Sequence, residues 1–178
     1  MRKLKNIELN RISIEEFKER KKTPVIIVLD NIRSQNNTGS VFRTADAFLL
    51  EAIFLCGITA TPPHREIHKT ALGATDSVEW KYFDETSEAV KLLKERNFKI
   101  FAVEQALESI ALYDFYPSAN DKIALIFGNE VKGIEDKVMN IVDACIEIPQ
   151  FGTKHSLNIS ISAGIVIWDV FMKINKLI

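Results

Sequence analysis

The chain of 178 residues is short of the features that mark several protein classes. It has two cysteines, Cys56 and Cys145, far apart in sequence and in neither a CxxC pair nor a His-rich neighbourhood, which argues against a disulfide scaffold and a structural zinc site. It has seven glycines, and no two of them are separated by a single residue. That excludes the GxGxxG dinucleotide turn, and no GxxxxGK phosphate loop occurs either. A nucleotide-type ligand therefore has to be held some other way. Long apolar runs are missing too: the longest, Ala163 to Val170, is broken by Gly164 and Asp169 and falls far short of the roughly 20 residues of a membrane span. The opening MRKLKNIELN has no apolar signal-peptide core, so the expectation is a cytoplasmic protein with no membrane partner. Charge of one sign is also lacking: 23 Lys plus Arg stand against 24 Asp plus Glu, a net charge of −1, which at first sight argues against a nucleic-acid partner.

What is present is an ordinary globular composition, 47% hydrophobic and 26% charged, in a length that suits one domain. The charge is uneven. Residues 1–22 hold eight Lys or Arg against four Glu, a balance of +4, whereas residues 23–100 stand at −1 and residues 101–178 at −4. The basic excess therefore sits in an N-terminal arm, read either as an RNA-docking element or as a solvated helix whose lysines complement its own C-terminal dipole. Ser13-Ile14-Glu15-Glu16 reads as a capping box opening a short helix that ends before Pro24. Val25 to Leu29 is a continuous apolar run, the look of a strand buried on both faces, and similar runs recur at Ala52 to Cys56, Val78 to Phe83, Ile100 to Val103, Ile123 to Phe127 and Ala144 to Ile148. Helical patterns at Gly39 to Leu49 and Ser87 to Arg96 lie between them, which predicts an α/β protein with a mostly parallel sheet. Leu157, Ile159 and Ile161 alternate with polar residues, so periodicity predicts a strand there, passing into a helix near Ala163.

Three polar clusters each follow a predicted strand, where ligands bind in α/β sheets. They are Asp30 to Gly39, followed by Arg43; Gly128 to Gly133; and Pro149 to Asn158. Each has a bland reading as well: Asn and Gly make turns, Ser156 can cap a helix, and Arg43 can pair with Asp46 on its own helix. His64 and His68 in HREIH are spaced as metal ligands on a helix would be, but the order is not HExxH and no third ligand is evident. A solvated turn beside Pro62 and Pro63 accounts for them, and no metal is expected.

Taken in order, Asn37-Thr38-Gly39-Ser40-Val41-Phe42-Arg43-Thr44-Ala45, Ile126-Phe127-Gly128-Asn129-Glu130-Val131-Lys132-Gly133-Ile134, and Ile148-Pro149-Gln150 with Ser156-Leu157-Asn158-Ile159-Ser160 resemble the three motifs of the SpoU (TrmH-like) branch of the SPOUT RNA methyltransferases. Lys69 to Asp76 is similar to the family's connecting segment, and the likeness covers about residues 23–174. It implies methyl transfer from S-adenosylmethionine to a ribose 2′-hydroxyl of RNA, with tRNA favoured and rRNA possible. It also implies a C-terminal deep trefoil knot, a topology that general rules of chain connection would exclude. The domain division is then a basic arm over residues 1–22 and a methyltransferase domain over residues 23–178. By family position, the knot loops that hold the cofactor contain Val103, Glu104, Gly128, Ile148 and Leu157, and the last helix begins near Ser156, against the periodicity.

The same resemblance makes Arg43 the catalytic arginine, with Asn37 and Glu130 orienting it and the target nucleotide, and Ser156 and Asn158 closing the site. Neutralising a guanidinium at neutral pH costs roughly 7 kcal/mol, which favours for Arg43 a fork that holds the RNA phosphate and stabilises the developing alkoxide, with the general-base role left open. The family forms homodimers through the knot region, which leaves open whether Arg43 acts across the interface; the apolar face of Ile165, Trp168 and Phe171 suits burial against a partner or, equally, the core of the chain itself. Arg11 and Lys18 of the arm, Arg33, Arg65 and Lys69 are the candidate RNA contacts. Leu49 stands where many relatives have Gly, a departure expected to affect packing. A non-catalytic RNA-binding dimer of the same fold is the second reading, and a small-molecule α/β enzyme lacks a visible nucleophile or metal constellation.

Overall fold

The computed structural model describes the backbone of residues 1–178 and every side chain except that of Asn6. The capping box forms as read: the Ser13 hydroxyl accepts from the Glu16 amide at 3.1 Å and the Glu16 carboxylate accepts from the Ser13 amide at 2.8 Å. It opens α1 (Ile14–Glu19), whose C-terminal carbonyls at Phe17, Lys18 and Arg20 receive the Lys22 ammonium. Phe17 is buried in the main core, so the arm is docked on the domain.

The remaining elements run β1 (Thr23–Asp30), α2 (Gln35–Ala47), β2 (Leu50–Cys56), α3 (Arg65–Ala71), α4 (Ala74–Ser77), β3 (Trp80–Phe83), α5 (Thr86–Glu95), β4 (Lys99–Val103), β5 (Ile110–Ala111), β6 (Ile123–Phe127), α6 (Asp136–Met139), β7 (Ala144–Glu147) and α7 (Ile159–Ile174). The strands form one sheet in the order β3-β2-β1-β6-β4-β7-β5, and every pairing is parallel. Val25, Ile27 and Leu29 of β1 pack on one face with α2 and α7, while Ile26 and Val28 pack on the other with α5. Burial on both faces is what makes the central strands β1 and β6 apolar along their length, whereas the edge strand β3 is exposed at Trp80, Lys81 and Tyr82. Burial also pushes the Cys56 thiol up to about 12, which makes it a packing residue and not a nucleophile. Among the described residues no helix is long and apolar enough to cross a membrane.

Several expectations are corrected. The alternation at Leu157 to Ile161 is no strand: Asn158 caps α7, its side-chain oxygen accepting from the Ser160 amide at 2.9 Å. This helix buries Ile159, Ala163, Val166, Ile167, Val170 and Ile174 and leaves Ile161, Ile165 and Trp168 exposed. Apolar residues on both sides of the helix mimic a two-residue period over a short window. The helix expected at Gly39 begins at Gln35 with Ser34 as its cap, so Asn36, Asn37 and Thr38 lie inside its first turns. The strand expected from Val78 begins at Trp80, and the one expected to reach Ile148 ends at Glu147. Asp46 accepts from the Ser77 hydroxyl and does not hold Arg43. Leu49 has φ 52, so its departure from glycine is first a matter of backbone conformation, a left-handed residue at a helix end.

Candidate active site

The carboxyl ends of β4, β6 and β7 meet around a cavity of about 560 Å³. Its walls come from three loops: Val103 to Gln105 after β4, Gly128 to Gly133 after β6, and Ile148 to Asn158 leading into α7. The second loop is closed on itself, Asn129 and Gly133 exchanging backbone hydrogen bonds of 3.1 and 2.9 Å. Both of its glycines are required. A Cβ on Gly128 would lie 2.4 Å from the Gly133 carbonyl carbon, and one on Gly133, at φ +68, would lie 2.5 Å from the Glu104 carboxylate. Asn129 braces the turn: its side-chain oxygen accepts from the amides of Val131 and Lys132, and its side-chain nitrogen donates to the Asn31 carbonyl at 2.7 Å.

That last bond ties the second motif to the first, and Glu130 ties it again. Its carboxylate accepts from the amides of Arg33 and Ser34, at 3.2 and 3.3 Å, and from the Asn37 side chain at 3.3 Å. It therefore sits at the N-terminus of α2, where a negative charge is favoured. Burial works to raise the Glu130 carboxyl, but its own amide, those of Arg33 and Ser34, and the Asn37 amide hold it below the ordinary carboxylate value. The third loop crosses the end of β4, where the Gln105 side chain donates to the His155 carbonyl at 2.6 Å. Asp30, fully buried at the end of β1, accepts from Thr86, from the Asn31 side chain at 2.9 Å and from the Glu135 amide at 3.3 Å.

All five expected cofactor residues, Val103, Glu104, Gly128, Ile148 and Leu157, line the cavity, as do Glu130, Ser156 and Asn158. Asn37 reaches it through Glu130. Arg43 does not join them: it is exposed on α2, outside the cavity of its own chain, and neither Asn37 nor Glu130 orients it there. Arg11, Lys18, Arg33, Arg65 and Lys69 are all exposed, and the last two make only long contacts of 4.0 and 3.9 Å with Glu66. Of the expected interface face, Ile165 and Trp168 are exposed, while Phe171 turns to Phe48 with ring centroids 5.1 Å apart. Sequence reasoning placed Asp30, Asn31 and Asn129 in the polar clusters and Gln105 in the turn after β4, but gave none of them the bracing role the structure shows. The signal for Asp30 was a charged residue closing an otherwise apolar buried run. Among the described residues no group of three or more His, Cys, Asp or Glu is placed to hold a metal ion.

Residues 24–168 match the model of the SpoU rRNA Methylase family. The chain is 30% identical over 164 residues to the tRNA (guanosine(18)-2′-O)-methyltransferase of Thermus thermophilus, covering 91% of this chain and 81% of that one. The crystal structure of the TrmH/SpoU tRNA modifying enzyme of A. aeolicus has the same fold, with a TM-score of 0.81 at 22% identity over 92% of this chain and 82% of that one. The AdoMet-bound rRNA methyltransferase of Sinorhizobium meliloti superposes with a TM-score of 0.77 at 25% identity, over 84% of this chain and 56% of that one. The matched stretch starts at the second residue of β1, ends within α7 and contains all three cavity loops; this chain belongs to the SpoU rRNA Methylase family.

Proposed function

We propose that this chain transfers a methyl group from S-adenosylmethionine to a ribose 2′-hydroxyl of RNA, with tRNA as the favoured substrate. The observation that carries the reading is the cavity itself, built by the three motif loops at the strand ends and sized for a cofactor. Its residues fit the group. Val103, Ile148 and Leu157 offer apolar surface, the glycines let backbone approach closely, and Glu104 and Glu130 supply negative charge suited to a cationic ligand. Bound there, S-adenosylmethionine supplies an electrophilic methyl group on its sulfonium. The chain supplies position and charge: Asn158 and Ser156 line the cavity and close the site, and the Arg43 guanidinium holds phosphate and stabilises the developing alkoxide.

For Arg43 to act, a second chain is needed. The exposed stripe of Ile161, Ile165 and Trp168 lies on α7, which packs beside α2, the helix that carries Arg43. We infer a homodimer that buries this stripe and presents Arg43 to the partner's cavity, with the C-terminal segment threaded as the family's trefoil knot. The arm and Arg33, Arg65 and Lys69 then dock RNA in the cytoplasm. The tRNA preference is supported by the Thermus relative, whose length this chain largely spans. The Sinorhizobium relative makes rRNA the second reading.

Calorimetric titration with S-adenosylmethionine, followed by mass-spectrometric mapping of ribose methylation on tRNA and rRNA incubated with the protein, tests this. Binding together with a new 2′-O-methyl group on tRNA is expected. Methylation of rRNA alone would move the substrate to the second reading, and absence of cofactor binding would leave a non-catalytic RNA-binding dimer.

A further inference from the structure

A second cavity, of about 210 Å³, lies on the flank of the sheet away from the first, and nothing in the proposed chemistry uses it. It is lined by Pro62, Pro63, His64, Ile67, His68, Thr75, Asp76 and Trp80, drawn from the loop before α3, from α3 and α4, and from the first residue of the edge strand β3. At about 30 Å³ per water it holds roughly seven, too few for a whole nucleotide but enough for one planar base. Its chemistry is that of a base pocket. The Trp80 ring and two prolines give flat apolar walls and the buried Ile67 a floor. Apart from His64, which accepts from the Glu66 amide, the polar side chains of the lining, His68, Thr75, Asp76 and Trp80, make no hydrogen bond among the described residues and are available to a ligand. Their clustering is not metal-binding, because no group of three ligands is assembled among the described residues.

We propose that this cavity binds a guanine base of the RNA at a nucleotide other than the one methylated, a site that rests on the RNA-methylating reading above. The Asp76 carboxylate offers two adjacent acceptors for the N1–H and exocyclic amino group that guanine alone presents side by side. His64 Nδ1 accepts from the Glu66 amide at 3.3 Å, so in the neutral ring the proton sits on Nε2, a donor for the guanine O6 or N7. Trp80 stacks on the base, the usual way an unpaired base is held. Arg65 and Lys69 on α3 are exposed and only loosely held by Glu66, at 4.0 and 3.9 Å, so they are free to take the phosphates of the same nucleotide. The site is rigidly linked to the first cavity. Thr70 on α3 donates to the Asn36 carbonyl on α2 at 3.0 Å, and Asn37 next to it donates to Glu130 at the first cavity's rim. Strands β3 and β6 are separated by three strand spacings, about 14 Å, the span of a few nucleotides.

The test is a tryptophan-fluorescence titration of the full chain with GMP, with S-adenosylhomocysteine at saturation so that the first cavity is closed to nucleotide. Quenching by GMP is expected, with CMP roughly tenfold weaker. Trp80→Phe should abolish the signal. Asp76→Asn should weaken GMP roughly tenfold while the affinity for S-adenosylhomocysteine stays unchanged. On bulk tRNA, Trp80→Phe and Asp76→Asn should each raise KM several-fold with kcat held within about twofold. Quenching that survives Trp80→Phe, equal response to GMP and CMP, or a loss of S-adenosylhomocysteine binding in Asp76→Asn would overturn the proposal. GMP binding with unchanged KM for tRNA would also overturn it, since the pocket would then serve a free nucleotide. GMP quenching in a chain that binds no S-adenosylhomocysteine would leave this site standing and the methyl-transfer reading fallen.

Discussion

Replacing Glu130 tests the junction between the first two motifs most directly. Its carboxylate accepts three hydrogen bonds from the start of α2, at 3.2, 3.3 and 3.3 Å. A hydrogen bond to a charged group contributes about 1.5 to 3 kcal/mol at good geometry, and a charge at a helix N-terminus about 0.3 to 1 kcal/mol. These bonds are long and the residue is exposed, so solvent screening reduces both, and Glu130→Gln, which keeps an acceptor but loses the charge, should cost about 1 kcal/mol. With a urea m-value near 2 kcal/mol/M, that moves the midpoint down by roughly 0.5 M. The pH dependence gives the sharper reading. The folded-state carboxyl lies below its ordinary value, so its stabilisation is full above the unfolded carboxyl's value and is lost as pH falls through the folded one. The gap between wild type and Glu130→Gln measured in urea at neutral pH should therefore close in the acid range, below about pH 4. A gap that stays constant down to pH 3, or no gap at neutral pH with full loss of methylation, would refute the capping role and return Glu130 to direct contact with the substrate.

Gly128→Ala should destabilise the fold by about 2 kcal/mol or more and abolish S-adenosylmethionine binding in calorimetry, because the new Cβ lies 2.4 Å from backbone that no rotamer change can move. Arg43→Lys should lower kcat at least about tenfold, with the cofactor affinity and the urea midpoint unchanged, since a point charge replaces a bidentate fork at an exposed position. Mixing Arg43→Ala with Ser156→Ala subunits should restore activity in the mixed dimer; Ser156 is the better partner variant because Asn158 caps α7. Trp168→Glu should shift the chain to a monomer in sedimentation, and a dimer of unchanged strength would move the interface off α7. Deleting the arm would also remove the buried Phe17, so Arg11→Gln with Lys18→Gln is the cleaner change, and each lost phosphate contact should flatten the salt slope of RNA binding by about 0.9.

The central strands were legible because both faces are buried, which writes β1 as an apolar run that no charge interrupts until Asp30; the two-residue edge strand β5, only half-buried, left no such run to read. The start of α7 was not legible, because Ile161 and Ile165 are apolar on the exposed side of the helix, and a helix apolar on two sides loses its period. α3 and α4 are too short to show one. The bonds that assemble the site join residues about a hundred positions apart, as Glu130 joins Ser34, and no local pattern records such a pair. Net charge misled for a related reason. A figure of −1 averages over surfaces that meet different partners. Glu104 and Glu130 line a cavity read as the seat of a cationic cofactor, while Arg11, Lys18, Arg33, Arg65 and Lys69 are exposed, where we propose that RNA docks. A protein that takes a cation into its interior and a polyanion on its exterior needs both signs, and their near cancellation is what such a division of labour produces.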